Sequence, residues 1–370
     1  MELGWLVDAV GESGAAVLGG LLIGVLFGAS AQRSRFCLRS AVIEFARGQF
    51  AAKLSIWLLA FSAAVLATQA LIVTGALSVA DARQLTGAGS VSGAAVGGAL
   101  FGVGMILARG CSSRLLVLSA NGNLRALLSG LIFAVTAQAS LRGMLSPLRE
   151  GIAGLWTVSG DEVLNLIAVL HLAGPLGDWA GLWLGCAFMV VAILFARRSG
   201  LTPTGWTGGV GVGLAVAFGW LFTDSLAKAS FGIVPVESMT FTGPSADMLM
   251  LVLNPPGAAM DFDSGLLPGV FLGSFLAALW ARELKLEGFE GGASMRRYIA
   301  GAVLMGFGGM LAGGCAVGSG VSGGAIFALT AWITLSTMWA GAAITDWLVD
   351  RRPAATVTVV RSVPAGSRAA

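Results

Sequence analysis

The spacing of the charges constrains this chain more than any other feature. No Asp, Glu, Lys or Arg occurs in residues 13–32, 54–80, 84–108 and 199–223, and residues 298–345 form one uncharged run of 48. A helix that spans a bilayer needs about 20 apolar residues. Each of the first four runs therefore accommodates one span, and the last accommodates two with something buried between them. Shorter runs at 126–141, 179–196 and 264–281 each admit a tight single span. Hydrophobic residues make up 56% of the chain and charged residues 11%, against about 25% charged in a soluble protein. Such a composition cannot cover a water-facing surface, which excludes nucleic-acid binding, secretion and soluble catalysis.

The expected fold class is an all-α polytopic membrane protein with nine spans, near 14–32, 54–77, 88–109, 123–145, 178–196, 205–223, 264–282, 297–313 and 326–348. Glu2, Asp8 and Glu12 precede the first span and no basic segment does, so that span is expected to be kept rather than cleaved as a signal peptide. Starting outside and alternating through nine spans puts +12 on the cytoplasmic loops and −9 on the outer ones. Because Lys and Arg mark the cytoplasmic side, the N-terminus is expected outside and the C-terminus in the cytoplasm. The acidic outer loops, with Asp224, Glu237, Asp247, Asp261 and Asp263, work against attraction of an anion from outside.

An internal repeat organises the chain. Residues 97–111 (GGALFGVGMILARGC) and 301–315 (GAVLMGFGGMLAGGC) agree at eight of 15 positions at an offset of 204, among them Gly97/Gly301, Gly102/Gly306, Gly104/Gly308, Gly110/Gly314 and Cys111/Cys315. Around Cys37, RSRFCLRSAV falls opposite SMTFTGPSAD at 238–247. The chain then divides into a first repeat half, 1–150, a connecting segment with a central span, 151–204, a second half, 205–350, and a cytoplasmic tail, 351–370. Four spans per half with one between them invert the second half relative to the first, and inverted repeats place a substrate near the midplane at their interface. The Gly-rich segments after Cys111 and Cys315 are expected to be broken or re-entrant helices, since irregular backbone at membrane depth survives only inside protein or beside a water-filled cavity. Their free N–H groups and positive dipole ends suit a small anion without any buried Lys or Arg.

Cys37, Cys111, Cys186 and Cys315 show no C-x-x-C spacing, and the single histidine, His171, falls in an outer loop. Zinc and iron–sulfur sites need clustered Cys or His, so no metal or cofactor is expected. Cys186, in LWLGCAFMVV without a repeat partner, reads as apolar filler. Cys111 and Cys315, preceded by Gly110 and Gly314, approach the pathway from opposite faces; a small side chain at a tight helix crossing is the plainer alternative. The span centres hold no Asp, Glu or Lys, where coupled pumps keep their ionisable relays, which disfavours a proton- or sodium-driven carrier built on buried carboxylates. Glycines at four-residue spacing, such as Gly20, Gly24 and Gly28 or Gly269 and Gly273, are expected to bring helices together. Trp5, Trp57, Trp156, Trp179, Trp206 and Trp347 are expected near span ends as interfacial anchors.

Through GVGMILARGC, GFGGMLAGGC and the weaker RSRFCLRSA, the sequence resembles the YeeE/YedE sulfur-transport family over residues 14–350. The resemblance implies an inner-membrane protein of inverted repeats in an hourglass arrangement that takes up thiosulfate or a related small sulfur anion. It implies a cytoplasmic sulfur-carrier or rhodanese-like protein as partner. It also implies pathway cysteines that relay the ion by transient S–H···S hydrogen bonds, roles that fall on Cys111, Cys315 and Cys37. The family often has another functional cysteine in its second half, where Ser238, Thr240 and Thr242 stand in this chain. Neutral thiols are weak donors, loose enough to release an ion onward. Sulfite, sulfide, a persulfide or a selenium compound stays open as cargo, and a membrane thiol sulfurtransferase is the rival enzyme; transport without catalysis is the expectation.

Overall fold

A computed structural model describes residues 3–159, 164–170, 177–230, 232, 234–253, 260–289 and 291–351. His171 and the tail beyond Arg351 lie outside the described residues. The main elements are α1 (Gly4–Ser34), α2 (Leu38–Ala46), α3 (Ala52–Val73), α4 (Val91–Leu107), α5 (Ser112–Ala120), α6 (Leu124–Arg142), α7 (Ser146–Ala153), α8 (Ala180–Arg198), α9 (Pro203–Ala229), α10 (Thr242–Leu253), α11 (Phe262–Trp280), α12 (Gly291–Leu311) and α13 (Leu329–Thr345). A π-helical turn, Gly318–Gly323, lies between α12 and α13, and a two-stranded ribbon pairs residues 88–90 with 157–159. Seven helical segments among the described residues are long and apolar enough to cross a membrane. With α12 and α13 at the last two expected positions, this is an all-α polytopic membrane protein.

Local chemistry explains where the helices begin. Side chains accept the first free amides: Ser90 from Gly93 before α4, Asn123 from Ala126 before α6, and Thr202 from Gly205 before α9, where Pro203 has no amide to satisfy. Asp261 and Ser264 form a reciprocal capping box at α11. The first helix starts at Gly4, ten residues before the expected span, and is broken at Gly11 (φ 77°, ψ 166°). Its middle turns expose Leu18, Leu22 and Leu26, α6 exposes Leu127, Leu131 and Val135, and α11 exposes Phe271, Phe275 and Leu279. These stripes at helical spacing are the surfaces a bilayer covers.

Packing repeats across the two halves. The first half runs α1 to α6; in the second, α9 to α13 and the π turn follow the same order of long, short, long, long, short, long. The pairing of α1 with α11 is matched by that of α9 with α3, and α4 with α13 by α12 with α6. At the centre α4 crosses α12 antiparallel. A Cβ on Gly97 would fall 2.5 Å from the Gly308 carbonyl oxygen, and one on Gly104 would fall 2.6 Å from that of Gly301. Each glycine thus touches the repeat partner of the other, the reciprocal contact of a two-fold interface. Along α1, Gly20, Gly24 and Gly28 rest directly on the α11 backbone, with room for no Cβ.

Two expectations need correction. Trp57 is not an interfacial anchor: it is 5% exposed, stacked on Phe61 and edge-on to Trp339 in an aromatic cluster. Ionisable groups are also drawn further into the fold than the spacing of charges suggested. Asp346, at the end of α13, is fully buried and held by Arg47 at 2.7 Å and Arg351 at 3.5 Å, tying α2 to α13. Asp224 is buried near the end of α9 and paired with Lys228 at 2.7 Å.

Candidate functional site

The three repeat-linked cysteines stand on one local construction used three times. Each follows a long helix whose last residues close with a left-handed residue, Arg35 (φ 55°), Arg109 (φ 56°) or Gly313 (φ 75°), and the cysteine comes two residues later. In each case the intervening amide reaches back to the helix: Phe36 to Ala31 at 3.1 Å, Gly110 to Met105 at 3.1 Å, and Gly314 to Gly309 at 2.9 Å. That is a Schellman ending. It reverses the chain inside the protein with its carbonyls satisfied, as backbone at membrane depth requires. Cys37 and Cys111 then become the N-cap residues of α2 and α5, and Cys315 opens the turn before Gly318–Gly323.

All three thiols are buried, Cys111 and Cys315 completely, and none is in a disulfide. Cys315 Sγ accepts from the Gly318 amide at 3.4 Å. The amides of Ser40 and Arg114, also three residues on, face Cys37 and Cys111 without closing a cap hydrogen bond. The thiols of Cys37 and Cys111 are turned toward one another, and Ser113 Oγ lies 3.4 Å from Cys111 Sγ. The second half holds a hydroxyl in the matching place, with Thr240 Oγ1 4.0 Å from Cys315 Sγ. Of the three hydroxyls opposite Cys37, Thr240 is therefore the one beside a cysteine. Ser238 is committed to the Val216 carbonyl at 2.7 Å, and Thr242 Oγ1 is buried without a partner.

These corners face opposite ends of the bundle. At the end that carries the N-terminus, a cavity of about 480 Å³ is lined by Arg83, Arg142, Glu237, Asp263, Thr240 and Gly314. Burial pushes the Glu237 carboxyl up to about 7, with Asp261 and Asp247 adding to the shift and Arg83 opposing it. At the other end, cavities of about 300 and 570 Å³ open beside Arg114 and Arg39. A strap of residues 283–287 crosses this mouth: the Lys285 amide donates to Asn121 at 3.2 Å, Glu287 to Gly122 at 3.1 Å, and Gln32 Nε2 to Glu283 at 2.8 Å. Between the corners sits Phe27, fully buried, its ring 6.3 Å from that of Phe36 and 5.3 Å from that of Phe241.

The structure places Cys37, Cys111 and Gly110 at one corner, and Cys315 and Gly314 at the other. Cys186 belongs to neither; it is exposed on α8. Arg114, half-buried, adds a cation beside Cys37 and Cys111 that was not among the expected site residues. It sits in the first turn of α5 near both cysteines, and its Nη1 is buried without a hydrogen-bond partner. Its position three residues after a cysteine was the available signal; in the sequence it counted only as a loop charge.

A family profile described as "Sulphur transport" matches residues 33–344. The chain is 28% identical over 358 residues to the thiosulfate transporter TsuA of Escherichia coli K12, covering 91% of this chain and 96% of that protein. It is 25% identical over 349 residues to the thiosulfate transporter TsuA of Spirochaeta thermophila, covering 90% of this chain and 99% of that one. A glycine-locked bundle of membrane helices, with cysteines at matched turns on both sides of its core, belongs by sequence to the sulphur-transport family.

Proposed function

We propose that the protein imports thiosulfate, or a closely related inorganic sulfur anion, across the inner membrane of a bacterium. The route runs from the Arg83 and Arg142 cavity past Thr240 and Cys315, then by way of Phe27 to Cys37, Cys111 and Arg114. The observation that carries this reading is the pair of sulfur-bearing corners at opposite ends of one buried core, each close to a cavity that contains arginine. Thiol S–H groups and the Thr240 hydroxyl give weak, successive donors that let an ion move on. On this reading the N-terminal end is outside and the C-terminal end cytoplasmic. Residues 1–150 and 205–350 are inverted halves about the 151–204 connection, and the waist at Phe27 makes an hourglass. A cytoplasmic sulfur-carrier or rhodanese-like protein collects the cargo beside the 283–287 strap. The thiols take no part in catalysis.

Thr240 favours a second cargo. Its O–H addresses an oxygen better than a sulfur, so sulfite fits that corner without a terminal sulfur atom. Uptake of sulfur-labelled thiosulfate and of sulfite, in cells lacking their own systems, separates the two. Thiosulfate uptake is expected to collapse in Cys111→Ser and in Cys315→Ser at matched expression. Uptake indifferent to both substitutions leaves a transporter and removes the relay; sulfite uptake alone exchanges the cargo.

A further inference from the structure

The cavity at the N-terminal end holds more unpaired acid than an anion route should tolerate. Asp263, in the first turn of α11, is 8% exposed, lines the cavity, and has its Oδ1 buried with no hydrogen-bond donor. A carboxylate is held ionised inside a protein by donors or cations. Here the neighbours that act on it are Glu237, Asp261 and Asp247, all acidic, against one cation, Arg83. Glu237 meets the same set, and Asp247 has Arg142 as its second cation. Arg149 also lines the cavity but is engaged by Glu150 at 2.9 Å and by the Ser140 carbonyl at 2.8 Å. On the same wall, Thr242 Oγ1 is 1% exposed and unpartnered, a donor without an acceptor. The site therefore has unused donors for an anion and carboxylates that would repel it.

We propose that this vestibule loads its anion together with a proton, which Glu237 and Asp263 share while the anion rests against Arg83, Arg142 and Thr242. The inference depends on the transport reading above and adds the condition under which the outer site fills. An incoming dianion raises the cost of every nearby carboxylate charge, so binding draws a proton from the outer solution onto the acid pair; the proton's source is water on that side and its acceptor a carboxylate oxygen. The position of Glu237 near 7 puts the exchange in the physiological range. A bound metal cation is the poorer alternative, because no group of three His, Cys, Asp or Glu among the described residues is placed to hold one. The acidic outer surface that argued against anion attraction becomes, once protonated, part of the site.

The test is initial uptake of labelled thiosulfate at low concentration into proteoliposomes, with voltage clamped at zero, internal pH fixed and external pH varied. One linked proton predicts that uptake by the intact protein falls about tenfold per unit above pH 7. Asp263→Asn and Glu237→Gln should each flatten this profile and exceed the intact protein at alkaline pH, a gain that a damaged fold cannot produce. Should Asp263→Asn fail to fold, Glu237→Gln carries the test. A flat profile in the intact protein, or an unchanged slope in the folded variants, overturns the inference and leaves transport standing. No thiosulfate uptake at any pH overturns the transport reading, and this inference with it.

Discussion

The corner at Cys37 and Cys111 and the corner at Thr240 and Cys315 share a backbone and differ in chemistry. Each pairs a residue beside a short helix with a cysteine that follows a Schellman turn, yet the first has two thiols and a half-buried guanidinium while the second has one thiol, one hydroxyl and a carboxylate-rich cavity. A duplicated scaffold therefore fixes where donors stand without fixing what they are. On the proposed import route, the end that first receives an anion is acidic, and the end that releases it is basic. That order is opposite to simple electrostatic attraction and suits a site filled under control and emptied toward cations.

The largest way to break the difference is to give the second corner its missing sulfur. In Thr240→Cys the new thiol lies beside Cys315, and oxidation should cross-link the two and stop uptake until a reductant restores it; mass spectrometry of the linked peptide checks the bond. Full uptake in the cross-linked protein would place the route elsewhere. Next in size, Arg114→Met should raise the KM for the anion about tenfold or more with a smaller change in kcat, the expectation for a lost charge-assisted contact. Arg114→Lys should recover part of that loss.

The pH response sharpens the contrast, because only the second corner has a carboxyl displaced to about 7 from 4.5. Between those values the folded protein holds a proton that the unfolded chain has lost, so stability falls as pH rises through the window and levels off above about 7. The loss from Glu237 is at most about 3 kcal/mol, read as a thermal midpoint that drops with pH in the intact protein and drops less in Glu237→Gln. The smallest effect concerns the matched glycines. A Cβ at Gly314 would lie 2.6 Å from Ser319 Oγ, whereas one at Gly110 meets Leu115 at 3.4 Å. Gly314→Ala should therefore cost about 1–2 kcal/mol and Gly110→Ala less than about 1, compared by thermal unfolding in one detergent.

Much of the scaffold was legible because membrane helices leave long uncharged runs and because close crossings demand glycine. The offset of 204 marked α4 and α12 as matched helices and located two of the three turns, though not that the two helices cross. Contacts made only in three dimensions were not legible. Nothing local to RSRFCLRSA says that Cys37 turns toward Cys111, and the alignment offered Ser238, Thr240 and Thr242 equally until Ser238 found a carbonyl and Thr240 found Cys315. Arg114 and Asp263 were misjudged for one reason: a charge at the edge of an apolar run looks solvated, but a short helix or a first turn can carry it under neighbouring helices.

The crossing of α4 with α12 also bears on speed. Backbone rests on backbone there, with Gly97 against Gly308 and Gly104 against Gly301, so any slide of one helix along the other drives a side chain into a carbonyl. Packed cores of this kind have discrete arrangements rather than a smooth range, and this one leaves the two halves no second register nearby. Rocking of whole halves, a microsecond-to-millisecond motion, is thereby discouraged. Smaller rearrangements, of one side chain or one turn of a short helix, belong to the nanosecond-to-microsecond range. On the transport reading, the pace of uptake is then expected to follow how often the sites fill.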